Sequence, residues 1–111
     1  MAFKVWFETE ERYVFGEGAF DLLERVSQLG SLSKAADSAN MSYRYAWGLV
    51  NKIEESIDAP VLETRRGGEH GGGGSELTRK GKLLLRSYLR IKEDFEELSD
   101  KHSRHLESNL S

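Results

Sequence analysis

The hydrophobic and polar positions of the chain change period several times, and each change predicts an element. "FKVWFETEERYVFGEG" alternates, with Phe3, Val5 and Phe7 on one face, a polar break over Glu8–Glu11, and then Tyr13, Val14 and Phe15. That pattern predicts a β-hairpin closed by Gly16 and Gly18. The spacing then becomes helical: Ala19, Leu22, Leu23, Val26 and Leu29 share one face, and Gly30 comes next as a C-terminal stop. "SLSKAADSANMS" predicts a second, short helix with Ser33 as its N-cap and Ala35, Ala36 and Ala39 on its packed face. Asn40 suits a left-handed turn, and Ser42 suits the N-cap of a third helix. In "SYRYAWGLVNKIEESI" the residues Ala46, Leu49, Val50, Ile53 and Ile57 lie on one side of that helix. A 100° step puts Arg44, Gly48, Asn51 and Glu55 opposite, with Tyr45 and Lys52 flanking that outer face.

After Pro60, "VLETRR" and "SELT" read as two short extended segments around a stretch in which six of the eight residues 67–74 are glycine. Thr78 is placed to cap a long helix. Its apolar positions, Leu84, Tyr88, Ile91, Phe95 and Leu98 with His102 beyond, alternate steps of four and three. A 3.5-residue repeat is the seam of a coiled coil. If residues 79–105 are all helical the rod is roughly 40 Å long, too long to fold back on so small a body. A homodimer is therefore expected, with Leu84, Tyr88, Ile91, Phe95 and Leu98 at its interface. The chain divides into residues 1–78 and a helix with its tail over residues 79–111.

Composition narrows the class. With 111 residues, 38% hydrophobic, 32% charged and a single proline, this is a helix-rich globular chain. Cysteine is absent, which removes disulfides, thiolate metal sites and cysteine nucleophiles. The first residues carry charges too early for a signal peptide, and no apolar run is long enough to span a bilayer, so a soluble cytoplasmic protein is expected. The net charge of −3 speaks against a polyanionic partner, but its distribution reverses that reading. Residues 65–92 hold eight basic side chains against two acids, whereas residues 93–100 hold five acids and no base.

No constellation supports catalysis, and no cofactor is implied. A Walker loop runs from its glycines directly into Lys-Ser/Thr and a helix, but here Ser75–Thr78 intervene. His70, His102 and His105 lack a convincing third metal ligand. Instead, two short helices joined by a tight turn, the second with a basic leading end, form a helix-turn-helix. The glycine loop is then the tip of a two-stranded wing whose base carries Arg65, Arg66, Arg79 and Lys80. The fold class is mainly α with small β (α+β): a winged helix-turn-helix with an N-terminal β-hairpin and a long C-terminal dimerisation helix.

The segments "GSLSKAADSANMSYRYAW" (Gly30–Trp47) and "RRGGEHGGGGSELTRKG" (Arg65–Gly81) resemble the N-terminal winged helix-turn-helix domain of ModE-type molybdate-responsive regulators, which is related to the LysR-type DNA-binding domain. The resemblance covers most of Gly16 to Ile91. It implies a dimer whose third helix enters the DNA major groove and whose long helix makes the dimer contact. Family members that sense molybdate carry further C-terminal oxyanion-binding domains. This chain ends at Ser111, so a molybdate or tungstate effector is not supported by it alone.

Within that frame Arg44 is the first candidate for a bidentate contact to a guanine edge, against the alternative of phosphate or water alone. Tyr45 and Lys52 are candidates for backbone or base contact. Ser42 serves first as a cap and can also donate to phosphate. Tyr43 is expected to point partly toward the core, and Trp47 is expected to serve the core rather than base stacking. Ser33 and Lys34 are placed to position phosphates, with ordinary capping and solvation the competing reading. Arg65 and Arg66 are expected on phosphates, and His70 is a candidate for the minor groove. Two other functions stay open: a protein-interaction module that does not read DNA, and sequence-independent architectural DNA binding.

Overall fold

The computed structural model describes residues 3–10, 13–65 and 74–111. In chain order it contains β1 (Phe7–Glu8), β2 (Tyr13–Phe15), α1 (Glu17–Leu29), α2 (Leu32–Ser38), α3 (Tyr43–Ile57), β3 (Leu62–Arg65), β4 (Gly74–Leu77) and α4 (Arg79–Leu110). The strands form two antiparallel pairs, β1 with β2 and β3 with β4. This is the α+β order anticipated from the hydrophobic pattern, with two local differences.

The N-terminal ladder is shorter than the alternation suggests. Only Phe7 and Glu8 pair, with Phe15 and Tyr13, across an irregular register. Residues before Phe7 run beside α4 instead: the Phe3 ring meets Phe95 edge-on at 5.6 Å, and the Tyr88 hydroxyl donates to the Val5 carbonyl at 2.7 Å. Gly18 is not part of the hairpin's end, because α1 already begins at Glu17.

The second difference concerns the cap of α2. Ser31, not Ser33, is the N-cap, and its side chain accepts from the Lys34 amide at 3.1 Å. Burial decides between the two serines. Leu32 is buried, and placing it in the first helical turn lets the core close over it while Ser31 satisfies an otherwise orphan amide. Ser33 consequently stands exposed in that turn. The other local signals hold. Gly30 takes a left-handed φ of 70° after α1, Asn40 takes 57°, and Ser42 and Thr78 accept from the Tyr45 and Gly81 amides at 3.0 and 3.1 Å.

One core joins the elements: Phe15 from β2, Leu22, Leu23 and Val26 from α1, Ala35 and Ala36 from α2, Ala46 and Val50 from α3, Val61, and Tyr88 from α4. The alanines of α2 let it approach α1 closely, and Arg25 closes the junction. Its guanidinium donates to Asp21 at 3.0 Å and to both oxygens of Ser38 at 2.9 Å.

The start of α4 is seated just as tightly. The Thr78 amide donates to the Val61 carbonyl at 2.9 Å, and the Thr78 hydroxyl donates to the Pro60 carbonyl at 2.7 Å. At Gly81 a Cβ would stand 2.3 Å from the Val61 oxygen, so only glycine lets this turn approach.

Tyr88 differs from its expected place at a dimer seam. Its ring is fully buried against Phe7, Phe15 and Phe20, with centroids 5.0 to 5.4 Å away. The hydroxyl also lies 3.0 Å from Glu17 Oε2, whose other oxygen receives the Lys92 ammonium at 2.5 Å. Burial, and then the Glu17 carboxylate, push the Tyr88 hydroxyl above its ordinary pKa. The Lys92 hydrogen bond, with help from Tyr88, holds Glu17 below the usual carboxylate range, and the same bond raises Lys92. Tyr88 is thus used within the protomer, and Leu84 packs partly against the same core. Ile91, Phe95 and Leu98 stay 46%, 36% and 52% exposed. Beyond Phe95, whose ring still meets Phe3, the helix leaves the body, and the molecule measures 60 × 30 × 23 Å.

Candidate nucleic-acid interface

The third helix is anchored by Ala46, Val50 and Ile53, all buried, and this fixes which residues it presents outward. Tyr43, Arg44, Tyr45, Trp47, Gly48, Asn51 and Lys52 are exposed. They fall into three strips. Arg44, Gly48 and Asn51 form the outermost face, as the helical step requires. Tyr45 and Lys52 lie on the flank facing the N-terminal hairpin. There Ser56 Oγ is 3.5 Å from the Tyr13 carbonyl, and Tyr13 is raised in pKa by burial and then by the neighbouring Tyr45. Tyr43 and Trp47 occupy the opposite flank, where they line a depression together with Ser31, Ser33, Thr64 and Ser75.

That depression runs between α3, the start of α2 and the wing. The wing pairs Leu62 with Leu77, Glu63 with Glu76, Thr64 with Ser75 and Arg65 with Gly74. Two sets of bonds set its position. The Ser75 amide donates to the Gly30 carbonyl at 2.9 Å, which fastens β4 to the end of α1. The Glu54 carboxylate on α3 accepts from the Val61 amide at 2.8 Å and lies 3.5 Å from the Leu62 amide, which ties the third helix to the root of β3. A Cβ on Gly74 would stand 2.6 Å from the Gly30 oxygen, so this fastening also depends on a glycine.

The anticipated side chains are distributed accordingly. Ser33, Lys34, Ser42, Arg44 and Tyr45 cluster at the leading ends of α2 and α3, all exposed. Lys52 sits two turns along α3. Arg65 ends β3, its guanidinium beside the backbone of Gly30 and Gly74. Arg79 and Lys80 stand apart, in the first turn of α4. There they line a second depression with Glu63, Glu76, Lys82 and Arg86. Arg66, His70 and the glycines between residues 67 and 73 lie outside the described residues.

Two expectations on α3 change. Tyr43 does not turn toward the core, and Trp47 does not serve it: they are 55% and 45% exposed. The core is closed on this side by Leu32 and Val50, and the wing stands off far enough to leave both rings uncovered. The signal available in the sequence was their spacing. Four residues apart, they share a flank roughly 60–100° from the buried stripe, where burial depends on the neighbour and not on the helix.

Three helices packed on one core, the third exposed along its outer face and bonded to a two-stranded wing, define a winged helix-turn-helix domain. Residues 18–82 match the family of bacterial regulatory helix-turn-helix proteins of the lysR type, and the chain belongs to that family. It is similar to the DNA-binding transcriptional dual regulator ModE of Escherichia coli (strain K12), with 34% identity over 94 residues, covering 81% of this chain and 36% of that protein. It is also similar to the molybdenum transport protein ModE of Herbaspirillum seropedicae, 41% identical over 66 residues, 60% of this chain and 24% of that one. The chain thus spans about a third or less of the length of these curated relatives.

Among solved structures it resembles the BenM DNA-binding domain in complex with benA site 1 DNA. The TM-score is 0.59 at 17% identity, over 78% of this chain and 94% of that one. The CbnR DNA-binding domain–DNA complex gives a TM-score of 0.61 at 22% identity, over 79% and 94%. At such identities the likeness is one of fold.

Proposed function

We propose that this chain is the DNA-binding part of a dimeric, cytoplasmic transcription regulator that recognises a specific double-stranded sequence. The observation that carries the reading is the exposed outer strip of α3, led by Arg44, held by Glu54 at a set position beside the wing. An arginine on the outer face of such a helix can meet a guanine edge with two parallel hydrogen bonds. Lys34 and Arg65 flank it and suit phosphates; Ser33 and Ser42 add hydroxyl donors, and Tyr45 and Lys52 extend the contact along the hairpin side. Arg66 and His70 belong to the same reading, as do Arg79 and Lys80 in the first turn of α4, each as a further contact to the DNA backbone.

The second protomer is assigned to α4. Ile91, Phe95 and Leu98 leave an apolar strip beside the body, and the helix is basic over residues 79–92 and acidic over residues 93–100. An antiparallel pairing of two such helices sets the basic half of each against the acidic half of the other. The DNA-binding unit of residues 1–78 and the dimer helix of residues 79–111 therefore overlap: one face of the turns of α4 through Lys92 completes the core, and the exposed face that carries Ile91, Phe95 and Leu98 is left to the partner.

The test is selection of bound fragments from a random DNA pool by the purified protein in moderate salt. An enriched inverted repeat is expected, with half-sites about 34–36 Å or a multiple apart. Arg44→Ala should erode the preference for that site over random DNA. Retention without enrichment would favour an architectural role, and no retention would favour a protein-interaction module.

A further inference from the structure

We propose that Tyr43 and Trp47, with the hydroxyls facing them, form a cradle free of basic side chains for the DNA strand that separates the major groove from the minor groove. This rests on the reading that α3 enters the major groove and the wing reaches the adjacent backbone. If both do so, the sugar-phosphate strand between the two grooves must cross the depression between them. Its described lining combines two half-exposed aromatic rings one helical turn apart, the hydroxyls of Ser31, Ser33, Thr64 and Ser75, and the apolar side chains of Leu32 and Leu62. No lysine or arginine is among them, and the one charged residue is Glu63.

A phosphodiester strand can meet such a surface in a way that does not release counterions. Hydroxyls and the indole N–H donate to phosphate oxygens, and the apolar faces of deoxyribose rest on the rings. Arg44, Lys34 and Arg65, which border the cradle, make the charged contacts. The two kinds of contact separate by salt, because only neutralised phosphates contribute to the slope of log affinity against log salt.

The chain has two tryptophans, so Trp6→Phe leaves Trp47 as the sole indole reporter. In that variant, DNA retained from the random pool is expected to shield Trp47 from acrylamide by at least several-fold. Trp47→Ala should weaken DNA binding about tenfold while leaving the salt slope unchanged, and Lys34→Ala should lower the slope by about one. Trp47→Phe, which keeps the ring and loses the N–H, should fall between. Equal quenching with and without DNA, unchanged affinity of Trp47→Ala, or a reduced slope in that variant would each overturn the cradle while the DNA-binding reading stood. Shielding that arises on raising protein concentration without DNA would overturn it too, assigning the groove to a contact between copies. If the unsubstituted protein retains no DNA, the underlying reading fails, and the cradle with it.

Discussion

Tyr88→Phe isolates one hydroxyl at the centre of the fold, and its effect should depend on pH in a way simple packing loss would not. The ring is fully buried, so phenylalanine preserves the contacts with Phe7, Phe15 and Phe20. What disappears is the donor held between the Val5 carbonyl at 2.7 Å and Glu17 Oε2 at 3.0 Å. Glu17 keeps Lys92, but the Val5 carbonyl is left short of its donor. The cost at pH 7 is about 1.5 kcal/mol, or about 6 °C in Tm for a chain of this size.

The sign of the pH dependence comes from the raised hydroxyl. A group whose folded pKa lies above its unfolded value gives stability that is complete below the unfolded value of 10.0 and is lost as pH rises toward the folded one. At pH 11 the unfolded tyrosine is mostly ionised while the folded one is still protonated. The wild type then loses about 1.4 kcal/mol that the phenylalanine variant cannot lose. Urea melts of both proteins at pH 7 and pH 11 should therefore show a gap that nearly closes at the higher pH, with the other tyrosines cancelling in the difference. A gap that stays constant between the two would refute the assignment of Tyr88 as a buried donor to Glu17.

Gly81→Ala drives a methyl group into the Val61 carbonyl, and denaturant melts should show a loss of about 2–3 kcal/mol, far beyond the effect expected of glycine-to-alanine in a helix. Glu54→Ala leaves the Val61 amide without its acceptor; it should cost about 1–3 kcal/mol by thermal melt, and Glu54→Gln, which retains one acceptor oxygen, should recover part of that. Leu98→Glu places a charge in the exposed strip of α4, where the proposed partner packs. Sedimentation should show dissociation toward monomer with little change in the far-ultraviolet spectrum, because Leu98 is half exposed in its own protomer.

Much of the fold was legible because its signals are local. Gly30 and Asn40 mark left-handed turns that other side chains resist, and Ser42 and Thr78 cap helices by reaching amides only three residues away. The helix-turn-helix order, the two strands of the wing and the outward face of Arg44 come from such signals and from a 3.6-residue period. The short α2 shows the limit of local reasoning: Ser31 and Ser33 both carry the chemistry of a cap, and only the burial of Leu32 between them selects one.

Tertiary structure decided what each face meets. The repeat along α4 marks an apolar side, yet periodicity does not say whether the neighbour is a second copy or the protomer's own body. The hairpin and α1 supply that answer by enclosing Tyr88 and leaving Ile91 and Leu98 outside. Likewise, nothing in "SYRYAW" tells how near the wing stands. The bonds from Glu54 to Val61 and from Gly30 to Ser75 set that distance, and they join residues 7 and 45 positions apart. Local spacing determines which residues share a face; only contacts between distant segments determine whether that face is buried, and on that depended whether Trp47 belonged to the core or to the surface proposed to hold DNA.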